Sequence, residues 1–94
     1  MRDMVGAELL LFARTLMLVE QGLRKRAAER ILSEVDVAAL HHRKFGRCHP
    51  RLGDGSLMGR CHQLSPRPEP MGSDPDFLVA LKVACDALLR HSRP

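Results

Sequence analysis

Apolar positions recur along this chain with the three-to-four-residue step of a helix, and nowhere with the two-residue step of a half-buried strand. Residues 3–20 form the first such stretch. Val5, Leu9, Phe12, Ala13, Leu16 and Met17 fall on one broad face, widened by Leu10 and Val19. Glu8, Arg14 and Thr15 mark the other side, where Leu11 and Leu18 stack seven positions apart on what reads as the wet face. Two leucines there predict a cover, either a loop of the same chain or a second subunit. Gly22 offers the left-handed position that ends a helix. A second helix is then predicted over residues 23–45, with Ala28, Ile31, Leu32, Val35, Ala38 and Ala39 inward and Gly46 as its stop. Lys25 with Glu29 and Arg30 with Glu34 make four-apart pairs on its outside. A tight turn at Gly22 makes the two helices an antiparallel hairpin.

The pattern then breaks. Pro50 pushes His49 out of helical backbone, and residues 46–53 read as irregular. Asp54 or Ser56 can accept from orphan backbone N–H groups and open a short helix over residues 56–64, with Leu57, Met58, Cys61 and Leu64 along its apolar edge. Pro66, Pro68 and Pro70 predict an extended connector over residues 65–74. Asp74-Pro75 is a helix start, N-cap followed by proline in the first turn. The last helix runs over residues 75–91 with Phe77, Leu78, Leu81, Ala84, Cys85, Leu88 and Leu89 inward, and with Lys82, Asp86 and Arg90 as an ion ladder outside.

These elements make a single all-α domain over residues 1–94, a small irregular bundle of three main helices and one short one. Composition agrees. Three aromatic residues, all Phe, leave the core to aliphatic side chains, which suits helices better than a sandwich. Charge adds a location. Residues 37–68 carry six cations, Arg43, Lys44, Arg47, Arg51, Arg60 and Arg67, against Asp54 alone, so the whole net charge of +4 lies in the middle third. Three cysteines, an odd number, argue against a disulfide framework. The apolar run at residues 9–19 follows two acids, is broken by Arg14, and is too short to span a bilayer. The expectation is a cytoplasmic protein with no membrane contact.

Candidate chemistry gathers in residues 41–62. Gly46-Arg47-Cys48-His49 recurs as Gly59-Arg60-Cys61-His62, and two Cys-His dyads hold enough donors for zinc. The spacing lacks the Cys-x2–4-Cys knuckle, and adjacent helical ligands diverge by about 100°. The expectation is no metal and no cofactor. Gly53-Asp54-Gly55-Ser56 before a helix offers backbone N–H groups to an anion, with Arg47 and Arg51 nearby, but lacks P-loop spacing and reads as a capped turn. Arg43, Lys44, Arg47 and Arg51 can line a nucleic-acid backbone or anion, although no aromatics interleave with them to stack bases. Arg43 and Lys44 also complement the C-terminal dipole of their helix. His42 reads as a core histidine. His49 and Asp54 are the nearest thing to a catalytic pair, and no cleft is implied around them, so no enzyme is expected.

The run His49-Pro50-Arg51-Leu52-Gly53-Asp54-Gly55-Ser56-Leu57-Met58, with Pro68-Glu69-Pro70 and Asp74-Pro75-Asp76-Phe77-Leu78 after it, resembles a family of short helical bacterial proteins of unknown function. Leu52 stands where that family commonly has Trp, and Cys61-His62 falls outside the shared pattern, which counts against a metal site built from those two residues. The resemblance implies a bacterial, cytoplasmic setting and carries no activity, cofactor or site residue. The expected function is therefore non-enzymatic and rests on protein–protein contacts, with an unidentified protein or as a weak homodimer, at an edge marked by Leu11 and Leu18. The alternative, less favoured, is weak binding of nucleic acid or an anion through residues 41–60, using Arg43, Lys44, Arg47 and Arg51.

Overall fold

The computed structural model describes residues 6–64 and 74–91. Four α-helices follow in order: α1 (Gly6–Leu16), α2 (Arg24–Phe45), the short α3 (Leu57–Gln63) and α4 (Pro75–His91), with a single 3-10 turn at Gln21–Leu23. The described residues hold no strand, only an isolated bridge between His49 and Gly53, so the fold is all-α. No described helix is long and apolar enough to cross a membrane. The connector predicted around Pro66, Pro68 and Pro70 lies outside the described residues, as do Val5 and the rest of the predicted start of the first helix.

The core is organised around α1. Leu11, Phe12, Ala13, Thr15, Leu16 and Met17 are all buried, and the helix packs chiefly against α4 and α3 and only lightly against α2. Opposite it, α4 presents Phe77, Ala80, Ala84 and Ala87, three of them alanines. Small side chains at a helix crossing bring the axes together, so the larger residues of α1 fill the space that the alanines leave. From α2, Ala28, Ile31, Leu32, Val35 and Ala38 close a second side, and Leu57 and Cys61 of α3 close a third. The inward face read for α2 is therefore the observed one.

Three expectations are corrected here. First, α1 ends at Leu16, not near Glu20. Leu18 and Val19 donate back to Thr15 and Leu16 over three residues, and Gly22 sits in the 3-10 turn without positive φ. The reason is Arg24. Arg24 is 3% exposed, and its Nε donates to the carbonyls of Leu16 at 3.0 Å and Val19 at 2.9 Å. A side chain thus satisfies the Val19 carbonyl and adds a second donor to that of Leu16, which already accepts from the Val19 N–H. Its Nη2 donates to Asp76 Oδ2 at 3.1 Å, and its Nη1 lies 2.9 Å from Asp76 Oδ1, an ion-pair contact too oblique for a hydrogen bond. Gln21 donates to the same Asp76 at 3.2 Å. The expected helical hairpin is in effect replaced by a corner that ties α1 and α2 to the start of α4.

Second, Leu11 and Leu18 do not form a surface pair. Leu11 is 4% exposed inside the core, while Leu18 lies past the end of α1 and is 47% exposed. The buried set Glu8, Leu11, Phe12, Thr15 and Leu16 is itself a helical stripe, turned from the predicted one because α3 covers the side that reads as polar. Thr15 meets burial by donating its hydroxyl to the Leu11 carbonyl at 2.9 Å. Third, Leu78 and Leu89 of α4 face outward at 48% and 60% exposure, because alanines take the contact with α1. Arg90 lies 3.5 Å from Glu29 on α2, so the predicted ladder along α4 gives way to a tie between helices.

Candidate functional site

The last turns of α2 run past the core. His42, Arg43, Lys44 and Phe45 are all exposed, so His42 is a surface residue and not the core histidine its position suggests. Gly46, at φ 71°, ends the helix by donating its N–H to the His42 carbonyl at 2.8 Å. From there the chain turns back on itself. His49 and Gly53 exchange backbone hydrogen bonds at 2.9 and 3.4 Å, and His49 Nδ1 accepts from the backbone N–H groups of Arg51 and Leu52, each at 3.1 Å.

The Gly-Asp-Gly-Ser turn is a capping device. Ser56 Oγ accepts from the Gly59 N–H at 3.0 Å and so caps α3, while Asp54 Oδ1 accepts from the Ser56 N–H at 2.9 Å and its hydroxyl at 2.7 Å. Asp54 braces the cap, and Ser56 is the cap. Gly55 is required by geometry: it has φ 89°, and a Cβ there would lie 2.7 Å from Ala39 Cα, whereas one at Gly59 would lie 2.8 Å from Asp54 Oδ1 and displace that side chain. The turn thus seats directly on the backbone of α2. Arg60 then locks α3 to α2, donating to Glu34 Oε1 at 3.2 and 3.1 Å and to Gln63 at 3.0 Å.

This geometry assigns the predicted residues. Arg60 is committed to an ion pair. Arg43, Lys44, Arg47 and Arg51 are exposed, and none pairs with an acid among the described residues. Lys44 Nζ lies 5.6 Å from the centre of the Phe45 ring, and His41 packs its ring 4.7 Å from Phe45 and 5.0 Å from His49. Desolvation holds His41 below the ordinary imidazole value, with His49, Arg47 and His42 acting in the same direction. Beside the cations stand Val37 at 49%, Leu40 at 58% and Phe45 at 54% exposure. At 3.6 residues per turn, Val37, Leu40 and Lys44 lie within about 60° of one another on the outer face of α2, with Phe45 and Arg43 on its shoulders. The sequence reading gave Val37 and Leu40 no role. Their signal was present, two large apolar residues three apart on the side of α2 opposite Ile31, Leu32 and Val35.

The Cys-His dyads do not converge. Cys48 is exposed, whereas Cys61 is fully buried. Burial raises the Cys61 thiol above its ordinary value, with Glu8 adding to the rise; a Thr15 hydrogen bond and Arg60 offset part of it. That is a packed thiol rather than a reactive one. With Nδ1 accepting two N–H groups, a neutral His49 ring carries its proton on Nε2, so binding a metal through either nitrogen would disrupt the turn. Among the described residues, no group of three or more His, Cys, Asp or Glu is placed to hold a metal ion. A depression of about 370 Å³ opens between Glu8, Asp36, Ala39 and residues 54–57. Among its carboxylates, Asp54 binds Ser56 and Asp36 lies 3.1 Å from His91 Nε2, while Glu8 is buried at 5% exposure. His49 and Asp54, the nearest catalytic pair in the sequence, each bind backbone N–H groups.

The fold and this surface define a small helical bundle with a hydrogen-bonded loop seated on its longest helix. The chain belongs to the family described as a domain of unknown function (DUF7742), which matches residues 2–88. No curated protein and no solved structure matches it.

Proposed function

We propose that this protein is a non-enzymatic binding module of the bacterial cytoplasm that acts through protein–protein contacts, and that the contact surface is the free end of α2. The observation carrying this reading is the exposure of Val37, Leu40 and Phe45 beside Arg43, Lys44, Arg47 and Arg51. Large apolar side chains interrupted by arginine are the composition of a docking surface rather than of a solvated one. The expected partner is a protein with an acidic, partly apolar face. The test compares the intact chain with a Val37→Ser, Leu40→Ser, Phe45→Ser variant. A partner captured by the first, lost by the second, and shown to bind when both proteins are purified supports the reading. Equal capture by both would exclude this surface.

A second reading keeps the same place and changes the partner. Four exposed cations in a segment with no described acid to pair them favour a polyanion, and Phe45 adds one ring for stacking. Labelled single- and double-stranded DNA and RNA titrated at two salt concentrations separate the two. Binding that falls steeply with salt and is lost in Arg43→Glu, Arg47→Glu, but survives the serine variant, would replace the protein partner with nucleic acid.

A further inference from the structure

We infer that the outer face of α4 is a self-association surface and that its occupant is a second copy of this chain, packed antiparallel across a two-fold axis. The face is independent of the α2 end. Leu78, Lys82, Cys85 and Leu89 follow at four-, three- and four-residue steps, with Val79 and Asp86 alongside, on the side of α4 away from Phe77, Ala80, Ala84 and Ala87. Leu78, Val79 and Leu89 are 48%, 43% and 60% exposed, and Lys82 and Asp86 are exposed between them. An apolar stripe with a charge pair at its centre is unusual on a helix whose other face already supplies a core contact.

The order of residues identifies the occupant. A two-fold interface is isologous: each residue meets the one equally far on the other side of the axis in the other copy. With the axis at the level of Ala84, Lys82 stands two positions before it and Asp86 two positions after, so each Lys82 meets Asp86 of the other copy. Val79 and Leu89 stand five before and five after, and Val83 and Cys85 one before and one after, whereas Leu78, six before, faces Arg90 of the other copy through its edge. Apolar residues therefore meet apolar residues at Val79, Val83, Cys85 and Leu89 while Lys82 and Asp86 meet opposite charge. Within one helix the same pair is poorly used, because a cation N-terminal to an acid at four residues is the weaker orientation, and neither residue pairs with a described residue. In one register the face therefore offers a copy of itself both opposite charge and apolar side chains.

The experiment is sedimentation equilibrium on the full chain and on Lys82→Glu and Asp86→Lys, alone and mixed in equal amounts, with circular dichroism confirming helicity in each. The wild-type chain is expected to dimerise reversibly. Each single variant brings like charges together and is expected to dimerise about tenfold or more weakly. Their mixture is expected to recover wild-type association, because an acidic face then meets a basic one, a result that no effect confined to one helix can produce. Val79→Ser alters no charge, removes the side chain that meets Leu89 and is expected to weaken the dimer as well, which keeps the test open if a charge variant fails to fold. A wild-type chain that stays monomeric at about 1 mM, single variants that dimerise as wild type does, or a mixture that does not recover would each overturn the inference.

Discussion

Where α1 meets α4, Phe12, Leu16, Ala80 and Ala84 are fully buried, and apart from the Arg24–Asp76 corner at one end the contact is apolar. Where α2 runs out and the chain returns to α3, most side chains are exposed, and the shape is held by backbone N–H groups donating to His49, Asp54 and Ser56 and by three glycines at positive φ. Burial is non-directional and tolerates a change of neighbours of similar volume. Hydrogen bonds and left-handed backbone fix one conformation and tolerate little. The first region supplies stability, and the second supplies a defined surface at modest cost to it.

The contrast can be pressed from its strong side first. Phe12→Ala removes the largest fully buried side chain and is expected to cost about 3–5 kcal/mol, enough to unfold much of a domain this size, as a urea titration followed by far-UV circular dichroism would register. An intermediate effect is expected in the loop from Gly55→Ala. The new Cβ meets the Ala39 backbone in a conformation alanine avoids, for a loss of about 1–3 kcal/mol. If its thermal midpoint matched wild type, the seating of the turn on α2 would not be as described. The smallest effect belongs to the cap. Ser56→Ala is expected to cost about 0.5–2 kcal/mol, with Asp54→Ala following it, whereas Arg51→Ala at the exposed rim stays within about 0.5 kcal/mol of wild type. A thermal melt of the three variants ranks them, and a larger loss from Arg51→Ala than from Ser56→Ala would reverse the roles assigned here.

The limits of α2, α3 and α4 follow from local signals and match the predicted ones within a residue. Gly46 needs only its own freedom at positive φ, Pro75 its fixed backbone, and Ser56 an N–H three residues away. Those interactions are complete within one turn of chain, so the linear order of residues already contains them. The all-α class, the inward face of α2 and the capped turn follow in the same way.

Partners distant in sequence were decided only by the tertiary structure. Arg24 reads as one more surface cation until Leu16, Val19 and Asp76 close around it; its contact with Asp76 spans 52 residues, and its bonds to the Leu16 and Val19 carbonyls, not Gly22, mark the end of α1. Leu11 and Thr15 read as wet until α3 packs over them, because periodicity reports which residues share a face but not what lies opposite. On α4 the apolar pattern admits two inward faces, one rich in leucine and one in alanine. Packing against α1 chooses the alanines, and the larger Phe12 and Leu16 of α1 fill the space they leave. That choice turns Leu78 and Leu89 outward.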